Sequence, residues 1–304
     1  MVLVQGKKLL QKAQKECYAV GAFNTNNLET TKAIISAAVE TDAPVFLQLS
    51  SGALKYGGFE LASLALSFAR KVPVPVAVHL DHGPSFELAR ECVNFGFPSV
   101  MIDGSALPFS RNVALTRRVV AVARSKNVSV EAELGQLKGR EDEIFAAKHI
   151  YTEPSEAAKF AKLTKVDSLA VAIGTSHGAY KFKGASSIDL KRLRAISESV
   201  SIPLVLHGAS SVNGPLVAAA NRYGAKIVNA KGVAESQIKK AVRLGVCKVN
   251  EDTDLRLAFT AAVRRFLKEN PSAYDPREIL SPATDAMKAV VMRRIRILGS
   301  DGKA

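Results

Sequence analysis

Three of the five histidines in this chain stand at or just past the end of an apolar run and are followed by glycine. They occur in Val-Ala-Val-His79-Leu-Asp81-His82-Gly83, Ala-Ile-Gly-Thr-Ser-His177-Gly178 and Pro-Leu-Val-Leu-His207-Gly208. One histidine beside an apolar run is ordinarily a satisfied structural residue. Three at equivalent positions on separate runs point to a metal site, because neutral imidazoles with one position left open suit a catalytic divalent ion. The glycine after each lets backbone or ligand come close. His79 shares a face with Asp81 in an extended segment, so it is read as a supporting residue outside the ligand set.

Carboxylates sit beside these histidines. Asp81 adjoins a ligand candidate, so it either moves a proton or orients an imidazole. Asp103 ends the run Val100-Met-Ile, and Glu131 and Glu133 alternate at the end of another run, sharing a face. Buried carboxylates need a cation or hydrogen-bond partners. Ion pairing with a lysine of the wall is expected for Glu131 and less so for Glu133, which precedes a glycine.

The elements that must position these groups are legible as eight strand candidates: 18–23, 44–49, 75–80, 99–102, 128–132, 168–173, 203–206 and 246–249. Most are apolar without alternation, as strands buried on both faces are. Helical patterns at 28–40, 61–70, 85–95, 112–125, 154–163, 190–198, 214–223 and 234–244 separate them. This alternation predicts a closed (β/α)8 barrel rather than an open sheet, whose first turn would carry a glycine-rich fingerprint that Gly21-Ala-Phe-Asn lacks. Residues 1–304 read as one barrel domain. Residues 255–304 read as a helical appendage with helices at 255–267 and 284–298, joined by a Pro- and Asp-containing connection at 270–282. The polar segment 136–151 has the length of a lid.

Composition narrows the classes. No run of 18 apolar residues suggests a membrane span, and no signal peptide is apparent. Cys17, Cys92 and Cys247 read as buried small hydrophobes in a reducing cytoplasm. The net charge of +14 is spread along the chain, densest at Arg293-Arg294-Ile295-Arg296. It reads mainly as solvated surface, with no aromatic-interleaved platform for nucleic acid. His207-Gly-Ala-Ser210-Ser211 and Asn250-Glu-Asp252-Thr253 follow the last two strand candidates and precede helices. That is where such barrels bind phosphate, with helix capping by Ser210 and Thr253 as the plain alternative.

Together these residues resemble the zinc-dependent class II fructose-bisphosphate aldolases, in the shorter subgroup that includes tagatose-bisphosphate aldolases. The likeness runs from Gly21-Ala-Phe-Asn24 through His79-Leu-Asp-His82-Gly, Ser99-Val-Met-Ile-Asp103, Glu131-Ala-Glu-Leu-Gly, Thr-Ser-His177-Gly, His207-Gly-Ala-Ser210 and Asn250-Glu-Asp-Thr-Asp to Asp275-Pro-Arg277. The resemblance implies that His82, His177 and His207 hold Zn²⁺, Co²⁺ or another divalent ion, with Asp103 and Glu133 at a second cation position. It implies that Asp81 exchanges a proton with the C4 hydroxyl and that Glu141, on the polar segment, moves the dihydroxyacetone-phosphate proton. Gly178, Lys181, Gly208, Ala209, Ser210, Asn250 and Thr253 would cradle the ketose phosphate, and Asn24, Ser50 and Asp252 would face the sugar chain. Arg277 would reach the site of a neighbouring subunit in a homodimer or homotetramer. Some members also need a monovalent cation.

The implied reaction is reversible cleavage of fructose 1,6-bisphosphate to dihydroxyacetone phosphate and glyceraldehyde 3-phosphate, the metal stabilising the enediolate. Tagatose 1,6-bisphosphate, or another phosphorylated ketose, is the alternative substrate. Lys248 is the one candidate for Schiff-base chemistry and reads instead as an ion-paired wall residue. A metal-dependent hydrolase on the same barrel would not need two phosphate pockets, and a non-catalytic basic binder would not need all the site residues.

Overall fold

Short apolar runs without alternation require cover on both faces, and a closed barrel ringed by helices supplies it. The computed structural model describes residues 3–137, 139–141, 144–146, 149–176, 188–228 and 230–304, the side chains of 139–141 and 144–146 excepted. In chain order the elements are α1 Gly6–Glu16, β1 Val20–Asn24, α2 Leu28–Glu40, β2 Val45–Ser50, α3 Ser51–Arg70, β3 Val76–Gly83, α4 Phe86–Phe95, β4 Ser99–Ile102, α5 Phe109–Ser125 and β5 Ser129–Leu134. There follow β6 Gly139–Glu141, β7 Ile144–Ala146, α6 Pro154–Thr164, β8 Ser168–Val171, α7 Leu190–Ser199, β9 Leu204–Leu206, α8 Gly214–Arg222, α9 Glu235–Arg243, β10 Val246–Glu251, α10 Thr253–Glu269 and α11 Pro276–Leu298.

Eight strands pair in parallel in the order β1-β10-β9-β8-β5-β4-β3-β2 and close on themselves. These are the eight expected strands. The main apolar core fills the layer between strands and helices. A second cluster plugs the amino-terminal end of the barrel, where Leu9, Leu10 and Ala13 of α1 pack on Val20, Phe46 and Ala77.

Three expectations need correction. The helix after β2 begins at Ser51, not residue 61, because Ser50 caps it through Ala53 N–H at 3.2 Å; Gly58, with φ 63°, breaks it midway. The connection 270–282 is helical from Pro276. Proline is tolerated in the first turn, and Asp275 caps the end by accepting from Arg277 N–H at 2.8 Å. Pro282, though, sits inside α11. Cys17 is exposed, in the left-handed cap position ending α1, whereas Cys92 and Cys247 are buried as expected. The polar segment carries an antiparallel hairpin, β6–β7, and Gln136 and Ile150 pin its base with two backbone hydrogen bonds of 2.8 and 3.0 Å.

Candidate functional site at the carboxyl ends of the strands

The decisive local feature is a bulge. Strand β3 pairs His79 with Ser99 and Leu80 with Val100, then skips to Gly83 with Ile102. A regular strand sends consecutive side chains to opposite faces. Here His82 takes a left-handed backbone, φ 45°, within the extra length. Bulges re-aim side chains in this way. As a result Asp81 and His82 both reach the cluster they share with His207.

Two carboxylates orient the imidazoles. Burial pushes the Asp103 carboxyl up. The hydrogen bond and charge of His82, together with the hydrogen bonds from Ser105, outweigh it, so Asp103 stays ionised well below the usual carboxylate range. Burial likewise raises Glu131, but the Lys248 ammonium and the His207 hydrogen bond hold it well below that range. An ionised carboxylate only accepts, so His82 donates from Nδ1 to Asp103 Oδ2 at 2.8 Å and His207 donates from Nε2 to Glu131 Oε1 at 2.8 Å. Burial first, and then the charge of His82, lowers the His207 pKa, so this ring is neutral. His207, neutral and donating from Nε2, therefore keeps its lone pair on Nδ1, and this atom faces His82 Nε2 across 2.8 Å.

Two imidazole nitrogens this close, with carboxylates beside them, form the donor set of a divalent cation site. Ligand atoms of Asp81, His82 and His207 lie within 4.8 Å of one another, as do those of His82, Asp103 and Glu133. His82 belongs to both groups. The expected ligands His82 and His207 and the expected second-site carboxylates Asp103 and Glu133 are thus brought together. His177 lies outside the described residues, as do Gly178 and Lys181.

Asp81 is held from both sides. Its Oδ2 accepts from Asn24 Nδ2 at 2.8 Å and its Oδ1 from Asn250 Nδ2 at 3.0 Å. Asn250 Nδ2 also lies 3.2 Å from His207 Nδ1, consistent with the lone pair there. Asn24 Oδ1 in turn accepts from Gln48 Nε2 at 3.0 Å. Gln48 is wholly buried and was not expected at the site; its signal was a polar residue inside the apolar run Val-Phe-Leu-Gln-Leu.

Beneath the site runs a buried polar chain. Lys248 Nζ donates to Glu131 Oε2 at 2.9 Å and lies 3.4 Å from His79 Nε2, while His79 Nδ1 lies 2.8 Å from Ser99 Oγ. Lys248 is the expected ion-paired wall residue. His79 is the expected supporting residue, kept neutral by burial and by Lys248, which hold its pKa far below the ordinary imidazole value.

The loops after β9 and β10 meet beside this cluster. Gly208 has φ 61°, and a Cβ there would lie 2.5 Å from Ser176 O, so only glycine allows that approach. Ser210 Oγ accepts from Asp252 N–H at 3.4 Å. Capping does not explain these loops: Asp252, not Thr253, is the N-cap of α10, and α8 starts four residues beyond Ser210. Ser50 turns to cap α3, as described. Asp252 pairs with Arg256, Nη2 to Oδ2 at 2.6 Å. Glu141 ends β6, and its side chain lies outside the described atoms. Arg277 is not brought to the cluster: its side chain is 89% exposed and clasps Asp275 at 2.6 Å.

A residue the sequence reading missed is Arg294. The basic run 293–296 reads as solvated surface, yet Arg294 is buried, with its guanidinium on Ser211 Oγ at 2.7 Å and on Glu251. Its helical neighbours Arg293 and Arg296 are more exposed, and only the phase of α11 separates them from it.

A parallel eight-stranded barrel with a histidine–carboxylate cluster able to hold a divalent ion, and two loops adjoining it at the carboxyl end, is the architecture of a metal-site barrel enzyme. The comparisons narrow the class. The family model described as fructose-bisphosphate aldolase class-II matches residues 4–303, and the chain belongs to that family. It is therefore an aldolase, a carbon–carbon lyase. It is 51% identical to a fructose-bisphosphate aldolase of Thermus caldophilus over the full length of both chains. It is 46% identical to one of Giardia intestinalis, covering 100% of this chain and 95% of that one. Among solved structures, the YdjI aldolase of Escherichia coli K12 superposes with a TM-score of 0.81 at 31% identity, covering both chains fully.

Proposed function

We propose that this enzyme reversibly cleaves fructose 1,6-bisphosphate between C3 and C4, giving dihydroxyacetone phosphate and glyceraldehyde 3-phosphate. The observation that carries the reading is the convergence of His82, His207 and Asp81, with each imidazole held by a buried carboxylate, Asp103 or Glu131. The names of the relatives favour fructose over tagatose bisphosphate. His82, His177 and His207 would hold a divalent ion, zinc foremost, with Asp103 and Glu133 as a second cation position. When bound, such an ion supplies Lewis-acid polarisation of the ketone at C2.

The chain's own residues then have distinct tasks. Asp81, steadied by Asn24 and Asn250, takes the proton of the C4 hydroxyl as the C4 carbonyl forms. The electron pair of the broken C3–C4 bond passes to C3 and into the adjoining carbonyl. Glu141 delivers a proton to C3, completing dihydroxyacetone phosphate. Gly178, Lys181, Gly208, Ala209, Ser210, Asn250 and Thr253 bind its phosphate, while Ser50 and Asp252 line the sugar chain. The exposed setting of Arg277 supports a role at a second subunit's site in a homodimer or homotetramer. Residues 1–304 would act as one barrel domain, with 255–304 as its appendage, in cytoplasmic glycolysis or gluconeogenesis. A monovalent cation near the phosphate loops would complete the site. Among the described residues no helix is long and apolar enough to cross a membrane.

The test is initial cleavage rates on fructose and tagatose 1,6-bisphosphates, as purified, after chelation, and after Zn²⁺ or Co²⁺ is returned. Metal-restored cleavage favouring the fructose substrate is expected. A tagatose preference would overturn the substrate, and activity untouched by thorough chelation would overturn the metal chemistry.

A further inference from the structure

Arg294 lies near the carboxyl end of α11, far along the chain from the site loops, yet its guanidinium is buried directly beneath them. Nη1 donates to Ser211 Oγ at 2.7 Å, Nη2 to the Ala209 carbonyl at 3.4 Å, and Nη2 also pairs with the buried Glu251 carboxylate. One side chain thus ties the loop after β9 to the end of β10. Asp254, also buried, makes the second tie: its Oδ2 accepts from Ser211 N–H at 2.8 Å and its Oδ1 from Asn213 N–H at 3.0 Å.

Between those two anchored residues Val212 is held at φ 47°. A β-branched residue there is a genuine outlier, because its Cβ crowds the backbone. Such strain persists only where the surroundings over-determine it, and it collects at ligand clamps. Here the surroundings are Arg294 on one side and Asp254 on the other. Ser210 is further fixed by Val233 N–H, which donates to its carbonyl at 3.1 Å.

We propose that Arg294 is a positioning residue. It holds residues 208–213 in their strained form against the start of α10, so that the cradle for the ketose phosphate is organised before substrate arrives. Preorganisation removes ordering cost from binding, so its loss appears in affinity before chemistry. The proposal rests on the aldolase reading above, which assigns that phosphate to Gly208, Ala209, Ser210, Asn250 and Thr253.

The test uses the full-length enzyme. Arg294→Met is paired with Glu251→Gln so that no buried charge is left alone. Measured together are KM and kcat for fructose 1,6-bisphosphate, product inhibition by dihydroxyacetone phosphate, Zn²⁺ affinity by chelator competition, and Tm. The expected result is a rise of about tenfold or more in both KM and the inhibition constant, a smaller fall in kcat, and unchanged Zn²⁺ affinity. Adding Val212→Gly should recover much of the loss, since glycine adopts φ > 0 without strain and no longer needs the clamp. Asp254→Asn, a second and milder variant, should shift KM in the same direction. KM and the inhibition constant staying within about twofold of the parent, with only Tm lowered, would reduce Arg294 to a packing residue and overturn the inference. A parent that neither cleaves the substrate nor binds the product would instead remove the aldolase reading, and the inference with it.

Discussion

Lysine can only donate hydrogen bonds, and this makes the substitution Glu131→Gln unusually informative. Lys248 and Glu131 are both buried, and their contact is 2.9 Å. In the variant, the amide oxygen must turn to Lys248, so the amide NH₂ faces His207 Nε2, which then has to accept. The imidazole proton moves to Nδ1, the atom that faces His82 across 2.8 Å, and the lone pair available to a cation is lost. Loss of an orienting partner of this kind typically costs 10–100-fold in metal affinity, about 1.4–2.7 kcal/mol. Separately, the buried ammonium loses its counter-charge, which destabilises the metal-free fold by about 3–5 kcal/mol.

The double variant Glu131→Gln/Lys248→Met separates the two effects. Without the donor-only lysine the glutamine is free to turn over, placing its oxygen on His207 and its NH₂ towards His79 Nε2, which lies 3.8 Å from Glu131 Oε2. Zn²⁺ affinity should then return to within about threefold of the parent, or about 0.7 kcal/mol. Replacing both members of a buried pair is often neutral for stability, so the metal-free fold should recover as well. The assays are chelator competition for Zn²⁺, urea unfolding of the chelated protein, and ¹⁵N shifts of the imidazoles, which report the tautomer directly. If the single variant kept the His207 tautomer and bound Zn²⁺ as the parent does, the reasoning from lysine to tautomer to lone pair would be refuted.

Three further outcomes are expected. His79 is buried neutral with its pKa far below the ordinary value near 6.5, so below that pH only the unfolded chain gains its proton. Stability should therefore fall as pH drops below about 6.5, by about 1.4 kcal/mol per unit from this residue, and His79→Gln should flatten the slope seen by urea unfolding between pH 7 and 5. Asp81→Asn should lower kcat by about 10²–10⁴-fold while chelator competition finds Zn²⁺ binding little changed; a fall below tenfold would remove Asp81 from the proton step. Gly208→Ala forces a Cβ to 2.5 Å from Ser176 O at φ 61°, so a loss of about 1–3 kcal/mol in unfolding free energy is expected, with higher KM.

The strands were legible because each is an apolar run buried on both faces, a pattern that short β segments of a closed barrel share. Helix starts were less so. The resemblance has Ser50 facing the sugar; serine is a favoured N-cap, but Ser-Ser-Gly-Ala does not say which serine caps α3. Arg294 escaped for a different reason. Its burial depends on the phase of α11 against the loops after β9 and β10, a long-range packing fact, and its basic neighbours disguise it. Glu131 and Lys248, by contrast, were expected to pair, because two charged residues inside apolar runs have few other ways to be buried.

Where sequence logic fails most usefully is at the third strand. Period-two alternation sends His79 and Asp81 to one face and leaves His82 to the turn, yet Asp81 and His82 both enter the site. The bulge between Leu80 and Gly83 reconciles these, at the cost of a left-handed histidine. The loop after β9 repeats the pattern, with Gly208 and Val212 in positive φ beside the proposed phosphate cradle. In both places a local rule is broken and neighbouring groups enforce the breach: Asp103 on His82, Arg294 and Asp254 around Val212. Strain that is over-determined by buried polar ties marks where a fold has been shaped for a ligand rather than for its own stability. The two strained segments adjoin the proposed cation site and the proposed phosphate cradle.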